Sequence, residues 1–347
     1  MRQVSLRKGW WLAKALEGAW RPSPPPLDLS AEELRAITPD LMESGAAGLV
    51  WRRIRESPLR TTASARRLYR AYRFYVIRAA VQDTYIRQVL QRLRSVGVEP
   101  LLGKGWAAAR LYPEVGLRPY YTDIDLYLRP EEYPVAKEVL RHPDAPPCAV
   151  DLHEGCPDLE DRSIEELYRR SRWVSLGEVV VRVLGPEDHL RLLCIHTLRH
   201  GAHSLLSWCD IGAAFETRPS DFDWDYFWTG NPRRTEWVLC ALHLAHRLLG
   251  MEWDGTPVAS RIRDLPGWLI PTVLRHWQTP GRPCPEPLGI ALRRPALWWR
   301  AIRDRWPDPI EATVAVGGAF DETPRILFQV ADCLVRAARW MVKKVME

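Results

Sequence analysis

Apolar and polar residues repeat with a helical period through most of the chain, but the middle of the chain alternates instead. Residues 1–88 have apolar positions three and four apart, broken by a proline cluster at 22–26, which predicts an N-terminal helical segment. Within that segment Ser30 and Glu33 have the spacing of an N-terminal capping box, so we expect a helix to begin there. The helical period returns over 186–347, which predicts a C-terminal helical domain.

Residues 89–185 have the texture of strands alternating with helices. The strand candidates are a short run ending at Leu102 and the stretches TDIDLYLR, CAVDLHEG and GEVVVRVLG. Helical patterns lie between them in WAAARLYP and PEEYPVAKEVLRH. Alternation of this kind is typical of an α/β or α+β core with helices layered on a sheet.

Composition narrows the class of protein. The 347 residues are 46% hydrophobic and 27% charged, which excludes a disordered chain and fits roughly two globular domains. No apolar run is long enough for a membrane span, and the first 20 residues predict an amphipathic helix rather than a signal peptide. Seven cysteines without a CxxC pair favour reduced thiols. We therefore expect a soluble, cytoplasmic protein whose net charge of +6 permits an anionic ligand.

Acidic residues in the alternating region carry the candidate chemistry. Asp123 and Asp125 are two positions apart in one strand candidate, so both carboxylates should lie on one face with Ile124 on the other. Asp151 lies in the next strand candidate, and a neighbouring strand would bring it to the same face. Clustered carboxylates repel unless a cation neutralises them, and hard oxygen ligands suit Mg2+ or Mn2+.

An anion-binding turn is predicted just upstream. Gly103, Lys104 and Gly105 stand where a strand candidate gives way to a helix, so backbone could approach a phosphate closely and Lys104 could add a charge. Metal-binding carboxylates downstream of such a turn favour phosphoryl or nucleotidyl transfer. Alone, an Asp-x-Asp strand is commonly a solvated face and a Gly-x-Gly segment is commonly a plain turn. Their combination in this order is what indicates function.

These motifs resemble a known family. The stretch LLGKGWAAARLYPEVGLRPYYTDIDLYLRPEEY, followed by VDLH, looks like the uncharacterised nucleotidyltransferase family of the DNA polymerase β-like superfamily. The likeness covers roughly residues 98–250, including the helical stretch HLRLLCIHTLRHGAHSLLSWCDIGAAF. It implies a polymerase β-like core with a mixed sheet over 89–185.

The resemblance also implies roles for individual residues. Asp123, Asp125 and Asp151 would hold Mg2+ or Mn2+, and Asp151 would help to activate the attacking hydroxyl. Gly103, Lys104 and Gly105 would shape the triphosphate turn, although the usual glycine-serine pair is Gly105-Trp106 here, so a serine contact to phosphate is missing.

Several polar side chains leave two interpretations open. Arg118 either faces phosphate or pins its loop to a carboxylate, and Asp210 either lines the nucleotide cleft or caps a helix. His153 shares a strand face with Asp151, which we expect it to orient by a hydrogen bond. His196, His200 and His203, spaced four and three apart, are expected to be structural or substrate-lining, with a zinc site as the alternative.

The function implied is metal-dependent transfer of a nucleoside monophosphate from a nucleoside triphosphate, ATP among them, to an acceptor hydroxyl. A small molecule or peptide is favoured as acceptor over RNA. If RNA is the acceptor, the arginine- and tyrosine-rich stretch 66–92 would bind it. Two alternatives remain: phosphoryl transfer or other tailoring at the same site, and a non-catalytic nucleotide-binding module.

Overall fold

The computed structural model describes residues 6–119, 123–261, 263–279 and 303–346, with the side chains of 343–346 excepted. Its helices are α1 Arg7–Leu16, α2 Ala31–Glu43, α3 Ala47–Ile54, α4 Ala63–Arg94, α5 Lys104–Ala109, α6 Tyr133–Arg141, α7 Ile164–Arg170, α8 Pro186–Arg199, α9 Leu205–Glu216, α10 Trp224–Trp228, α11 Pro232–Leu249, α12 Leu269–Trp277, α13 Pro309–Ala315 and α14 Arg325–Met346. Its strands are β1 Leu101–Leu102, β2 Asp123–Leu128, β3 Ala149–Glu154, β4 Arg172–Leu176 and β5 Val179–Val183.

The strands form one mixed sheet in the order β3-β2-β1-β5-β4. Strand β2 pairs parallel to β3 and antiparallel to β1, which in turn runs parallel to β5. The short hairpin of β4 and β5 completes the sheet. A mixed sheet with helices around it is therefore confirmed, and β4 is a strand that the sequence analysis did not predict.

The period-2 pattern of β2 separates a structural face from a chemical one. Ile124, Leu126 and Leu128 are buried in a cluster with side chains of α4 and α6. Asp123, Asp125 and Tyr127 lie on the opposite face, as alternation along a strand requires. This second face is turned toward the helices that follow residue 186.

Helices from both ends of the chain share the larger hydrophobic core. Leu12 of α1, Trp20 of the turn after α1 and Leu34 of α2 are buried in one cluster with Trp208 and Phe215 of α9. The close approach is visible at Gly212, where an added Cβ would lie 2.4 Å from the Trp20 ring. The N-terminal helices thus support the helical wall that faces the sheet.

Local sequence rules held at the helix ends. Ser30 Oγ accepts a hydrogen bond from the Glu33 backbone N–H at 3.1 Å, and Glu33 Oε2 accepts one from the Ser30 N–H at 2.8 Å, so the capping box is confirmed. Gly250 ends α11 with φ of +65°, as its sequence position predicted. Within the part of the chain that the structure describes, no helix is long and apolar enough to cross a membrane. The six cysteines described there are unpaired, and Cys284 lies outside the described residues.

Candidate active site

A cavity of about 720 Å3 lies between the polar face of the sheet and helices α8 and α9. It is lined by side chains from the predicted turn, the two acidic strands and the helical wall: Lys104, Gly105, Arg118, Asp123, Asp125, Tyr127, Asp151, His153, Pro157, Asp158, Leu193, His196, Thr197, Arg199, His200, Ser207, Asp210 and Glu311. Of the seven predicted site residues, six line this cavity and Gly103 lies behind it.

The parallel pairing of β2 and β3 brings two predicted carboxylates together. Asp125 is the register partner of Asp151, so their side chains stand side by side on one face. His153 joins them, with Nε2 3.2 Å from Asp151 Oδ2 and 3.4 Å from Asp125 Oδ1. Tyr127, the register partner of His153, stacks on its ring with centroids 4.9 Å apart and fixes its plane. His153 therefore contacts both carboxylates, Asp125 as well as Asp151.

Lys104 already neutralises one of these carboxylates. Its Nζ donates to Asp125 Oδ1 at 3.0 Å, and both side chains are more than four-fifths buried. Burial alone would raise the pKa of Asp125, but the hydrogen bond from His153 and the charge of Lys104 outweigh burial and lower it. Asp125 is thus held as an anion, ready to bind a cation.

The backbone at Lys104 is unusual for a residue with a side chain. Its φ is +47°, in the left-handed region that costs an L-residue about 1 kcal/mol or more. Such conformations persist where surrounding contacts enforce them, and they cluster at functional sites. The Asp125 ion pair and the start of α5 supply the contacts that hold it.

The two glycines of the turn differ in what requires them. A Cβ at Gly103 would lie 2.7 Å from the Tyr127 ring, so this glycine serves close packing against β2. A Cβ at Gly105 would meet nothing closer than Arg118 Nη1 at 3.8 Å, so the space in front of it is open to the cavity. Trp106, at the position where the resemblance implies a serine, turns away into the core, where its Nε1 donates to Asp83 of α4 at 2.8 Å.

Arg118 is bound to a carboxylate on the helical wall. Its Nη2 lies 2.8 Å and its Nε 3.2 Å from Asp210 Oδ2, and the Tyr112 hydroxyl donates to Asp210 Oδ1 at 2.8 Å. Asp210 is almost completely buried, so the pair fastens the 111–119 loop to α9 while Arg118 still lines the cavity. Of the two interpretations open for Arg118, the loop-pinning contact is present.

A second acidic centre on the cavity wall was missed by sequence reasoning. Asp158 is buried, and its carboxylate accepts from Arg199 Nη1 at 2.7 Å and lies 2.9 Å from His196 Nδ1. Burial opposes its ionisation, but His196 and Arg199 outweigh burial and hold the pKa of Asp158 well below its usual range. No motif marks Asp158, because its partners lie about 40 positions away in the chain.

The three histidines weighed together in the sequence do not form one group. Helix α8 ends at Arg199, so His200 caps it and His203 lies beyond it. His196 and His200 line the cavity, whereas His203 stacks on His276 elsewhere. The prediction that all three histidines lie on one helical face was wrong because it assumed that the helix continues to residue 203.

The donor set suits a divalent cation. Asp125, Asp151 and His153 each offer a ligand atom within 4.8 Å of the others, and Asp123 lines the same cavity outside that group. Carboxylate oxygens are the preferred ligands of Mg2+ and Mn2+, and imidazole is compatible with the latter. The Lys104 ammonium beside Asp125 already occupies a position where positive charge is stabilised.

A comparison with protein-family models matches this chain to the family described as uncharacterised nucleotidyltransferase, over residues 32–250. The match begins at the second residue of α2 and takes in every element from α3 through α11 and the whole sheet, and with them all seven predicted site residues. No curated protein and no solved structure matches the chain.

Proposed function

This chain belongs to the uncharacterised nucleotidyltransferase family and is thus a transferase of phosphorus-containing groups, and from that premise we propose that the cavity is its active site. There a nucleoside monophosphate passes from a nucleoside triphosphate to an acceptor hydroxyl. The single observation that carries the proposal is the in-register pair of Asp125 and Asp151 beside Lys104.

The fold supports a polymerase β-like core. The order strand β1, turn, helix α5, strand β2 places the glycine-lysine turn directly beside the Asp-x-Asp strand, and the third carboxylate stands on the adjacent parallel strand β3. Helices α8 and α9 close the other side of the cavity. This arrangement is what the resemblance of the DIDLYL block implies.

In the proposed site Asp125 and Asp151 bind the divalent metal, with Asp123 as a further ligand from the same strand face. When bound, the metal supplies charge neutralisation at the phosphate oxygens. His153 keeps both carboxylates oriented through its contacts of 3.2 and 3.4 Å. Mn2+ and Mg2+ both suit this donor chemistry.

The turn residues bind the triphosphate in this proposal. Lys104, whose Nζ lies 3.0 Å from Asp125 Oδ1 on the cavity wall, would bind a phosphate oxygen. The open space at Gly105 allows phosphate to approach the backbone. Arg118, held by Asp210, contributes positive charge at the edge of the same space.

Asp151 is the proposed acceptor of the hydroxyl proton. Its side chain is about half exposed, so an acceptor molecule can reach it. The acceptor oxygen would form a bond to the α-phosphorus while the bond from that phosphorus to the β-phosphate oxygen breaks. The proton passes to Asp151, and pyrophosphate carries away the electron pair of the broken bond.

Calorimetric titration of each nucleoside triphosphate with Mg2+ or Mn2+ tests the site. We expect metal-dependent binding in the natural chain, lost in Asp125→Asn and in Asp151→Asn, and retained in Asp144→Asn, a control on an exposed loop. Metal-dependent binding that survives in both site variants would overturn the proposed location.

Product mass identifies the reaction. Incubation with candidate small molecules and peptides should give a product heavier by a nucleoside monophosphate, with release of pyrophosphate. A product heavier by one phosphate would instead establish phosphoryl transfer, and nucleotide binding without any product from a broad acceptor set would favour a non-catalytic module.

RNA is the less favoured acceptor. Helix α4 does expose arginines together with Tyr69 and Phe74, which are 41% and 58% exposed. Binding to that face should weaken steeply as salt is raised, because counterions are released on binding. Absent or salt-insensitive RNA binding would leave a small molecule or peptide as acceptor.

A further inference from the structure

Three donor side chains converge at a second place, away from the active-site carboxylates. His203 in the loop after α8, His276 in α12 and Asp308 before α13 place their ligand atoms within 4.8 Å of one another. Nε2 of His276 lies 2.8 Å and Nε2 of His203 3.9 Å from Oδ2 of Asp308. The two imidazole rings stack with centroids 4.0 Å apart. Ligand atoms from three distant segments therefore lie close together.

The hydrogen bond on the far side of His276 determines which nitrogen faces Asp308. Its Nδ1 lies 2.8 Å from the carbonyl oxygen of Gly201. Because a carbonyl oxygen only accepts, Nδ1 carries the proton, and the neutral ring turns the lone pair of Nε2 toward Asp308. The lone pair of Nε2 and a carboxylate oxygen 2.8 Å away would repel each other unless a positive charge lies between them. That charge is either a metal ion or a second ring proton, on Nε2.

The hydrogen bonds around the cluster are those that commonly orient the ligands of a metal site. A histidine ligand commonly donates its other N–H to a backbone carbonyl, as His276 does. The second oxygen of Asp308 is also committed, since Oδ1 accepts from the N–H groups of Ile310 and Glu311 at 2.9 and 3.0 Å. Only Oδ2 is left to face the histidines.

The loop that presents His203 is held in a strained conformation. Gly201 has φ of +67°, and a Cβ there would lie 2.9 Å from Asp308 Oδ1. Ala202 follows with φ of +61°. Among the described residues, the two non-glycine residues with positive φ are Ala202 and Lys104 of the active-site turn. Backbone strain of this kind is found where a ligand or a clamp must be held in place.

We propose that His203, His276 and Asp308 bind a transition-metal ion of the Zn2+ type. Two imidazoles and one carboxylate suit Zn2+ far better than Mg2+, and water would complete the coordination. The ion would fasten the start of α13 to the loop after α8 and to α12. Glu311, one turn into α13, lines the active-site cavity, so the bound ion would also hold that wall in place.

Metal titration of the chelator-treated chain tests the proposal. With Zn2+ we expect one tight site per chain, and with Co2+ the visible absorption bands of a low-symmetry site with nitrogen and oxygen ligands. His203→Gln and Asp308→Asn should each weaken Zn2+ binding at least tenfold and abolish the rise in Tm that Zn2+ gives the natural chain. Asn is a good helix N-cap, so Asp308→Asn keeps the cap of α13 and should fold.

Two control variants separate this site from other metal-binding groups. His142→Gln removes an exposed histidine, and Asp151→Asn removes a carboxylate of the active-site group. Both should bind Zn2+ at this site as the natural chain does. The proposal is overturned if Zn2+ binding survives in His203→Gln and Asp308→Asn or is lost only in Asp151→Asn. It is equally overturned if Zn2+ does not bind, and the contact between His276 and Asp308 is then an ion pair of a doubly protonated ring.

Discussion

The ammonium of Lys104 lies 3.0 Å from Oδ1 of Asp125, so the turn that would bind phosphate is tied to the strand that would bind metal. The same lysine has a left-handed backbone, with φ of +47°. One residue therefore links the charge of the site to the conformation of its turn, and both properties can be tested.

Replacing Lys104 by alanine and by glycine separates its side chain from its backbone. Both variants should lose about tenfold in nucleoside triphosphate affinity, because neither keeps the ammonium group. The glycine variant should be more stable than the alanine variant by about 1 kcal/mol, since glycine adopts positive φ without strain. Calorimetry and urea unfolding give the two readouts. Equal stability of the variants would show that the backbone is not strained, and unchanged affinity would remove Lys104 from the phosphate site.

Alanine at the two glycines of the turn should have opposite effects. Gly103→Ala should lower the free energy of unfolding by about 1–3 kcal/mol, because its Cβ would lie 2.7 Å from the Tyr127 ring. Gly105→Ala should leave stability unchanged or higher, because its Cβ meets only ordinary contacts and alanine favours helix.

Nucleotide affinity adds a second readout for the same pair. Gly105→Ala should weaken triphosphate binding, because the new methyl group occupies the space where phosphate approaches. A Gly105→Ala variant that binds nucleotide like the natural chain would place phosphate elsewhere in the cavity.

Removing the charge of Asp210 should destabilise the folded protein. In Asp210→Asn the guanidinium of Arg118 stays largely buried without its counter-ion, and we expect a loss of about 3 kcal/mol in the free energy of unfolding. Asp221→Asn is the matched control, because its pair with Arg172 is mostly exposed and should be worth less than about 1 kcal/mol. Urea unfolding of both variants makes the comparison. Similar small losses would mean that the Asp210 pair contributes little.

His189 should make the protein sensitive to acid. It is buried against α9, its Nε2 has no hydrogen-bond partner within the described ranges, and desolvation lowers its pKa from 6.5 to about 4. The unfolded chain therefore takes up a proton below pH 6.5 that the folded chain refuses until about pH 4, so stability falls with pH across that interval. His189 alone should lower the free energy of unfolding by about 2 kcal/mol between pH 7.5 and pH 5.

The variant His189→Phe isolates that contribution. The natural chain should lose about 2 kcal/mol more than the variant when unfolding is measured at pH 7.5 and at pH 5. Parallel losses in the two proteins would show that His189 is protonated in the folded state or that other groups dominate.

The local features of this protein followed from its sequence. Alternation put Asp123 and Asp125 opposite Ile124, the helical period marked α4, and Ser30 and Glu33 marked a helix start, because each depends on neighbours within about four positions. The strand pattern also marked Asp151 as a candidate for the same face, and the pairing of β2 with β3 puts it beside Asp125.

What tertiary structure alone decided are the contacts between segments far apart in the chain. Arg118 meets Asp210, and Asp158 meets His196, because helices α8 and α9 cover the polar face of the sheet. Periodicity shows that a face is buried but carries no information about which distant segment covers it. His203 belongs with His276 rather than with His196 for the same reason, since the end of α8 redirects the chain toward α12.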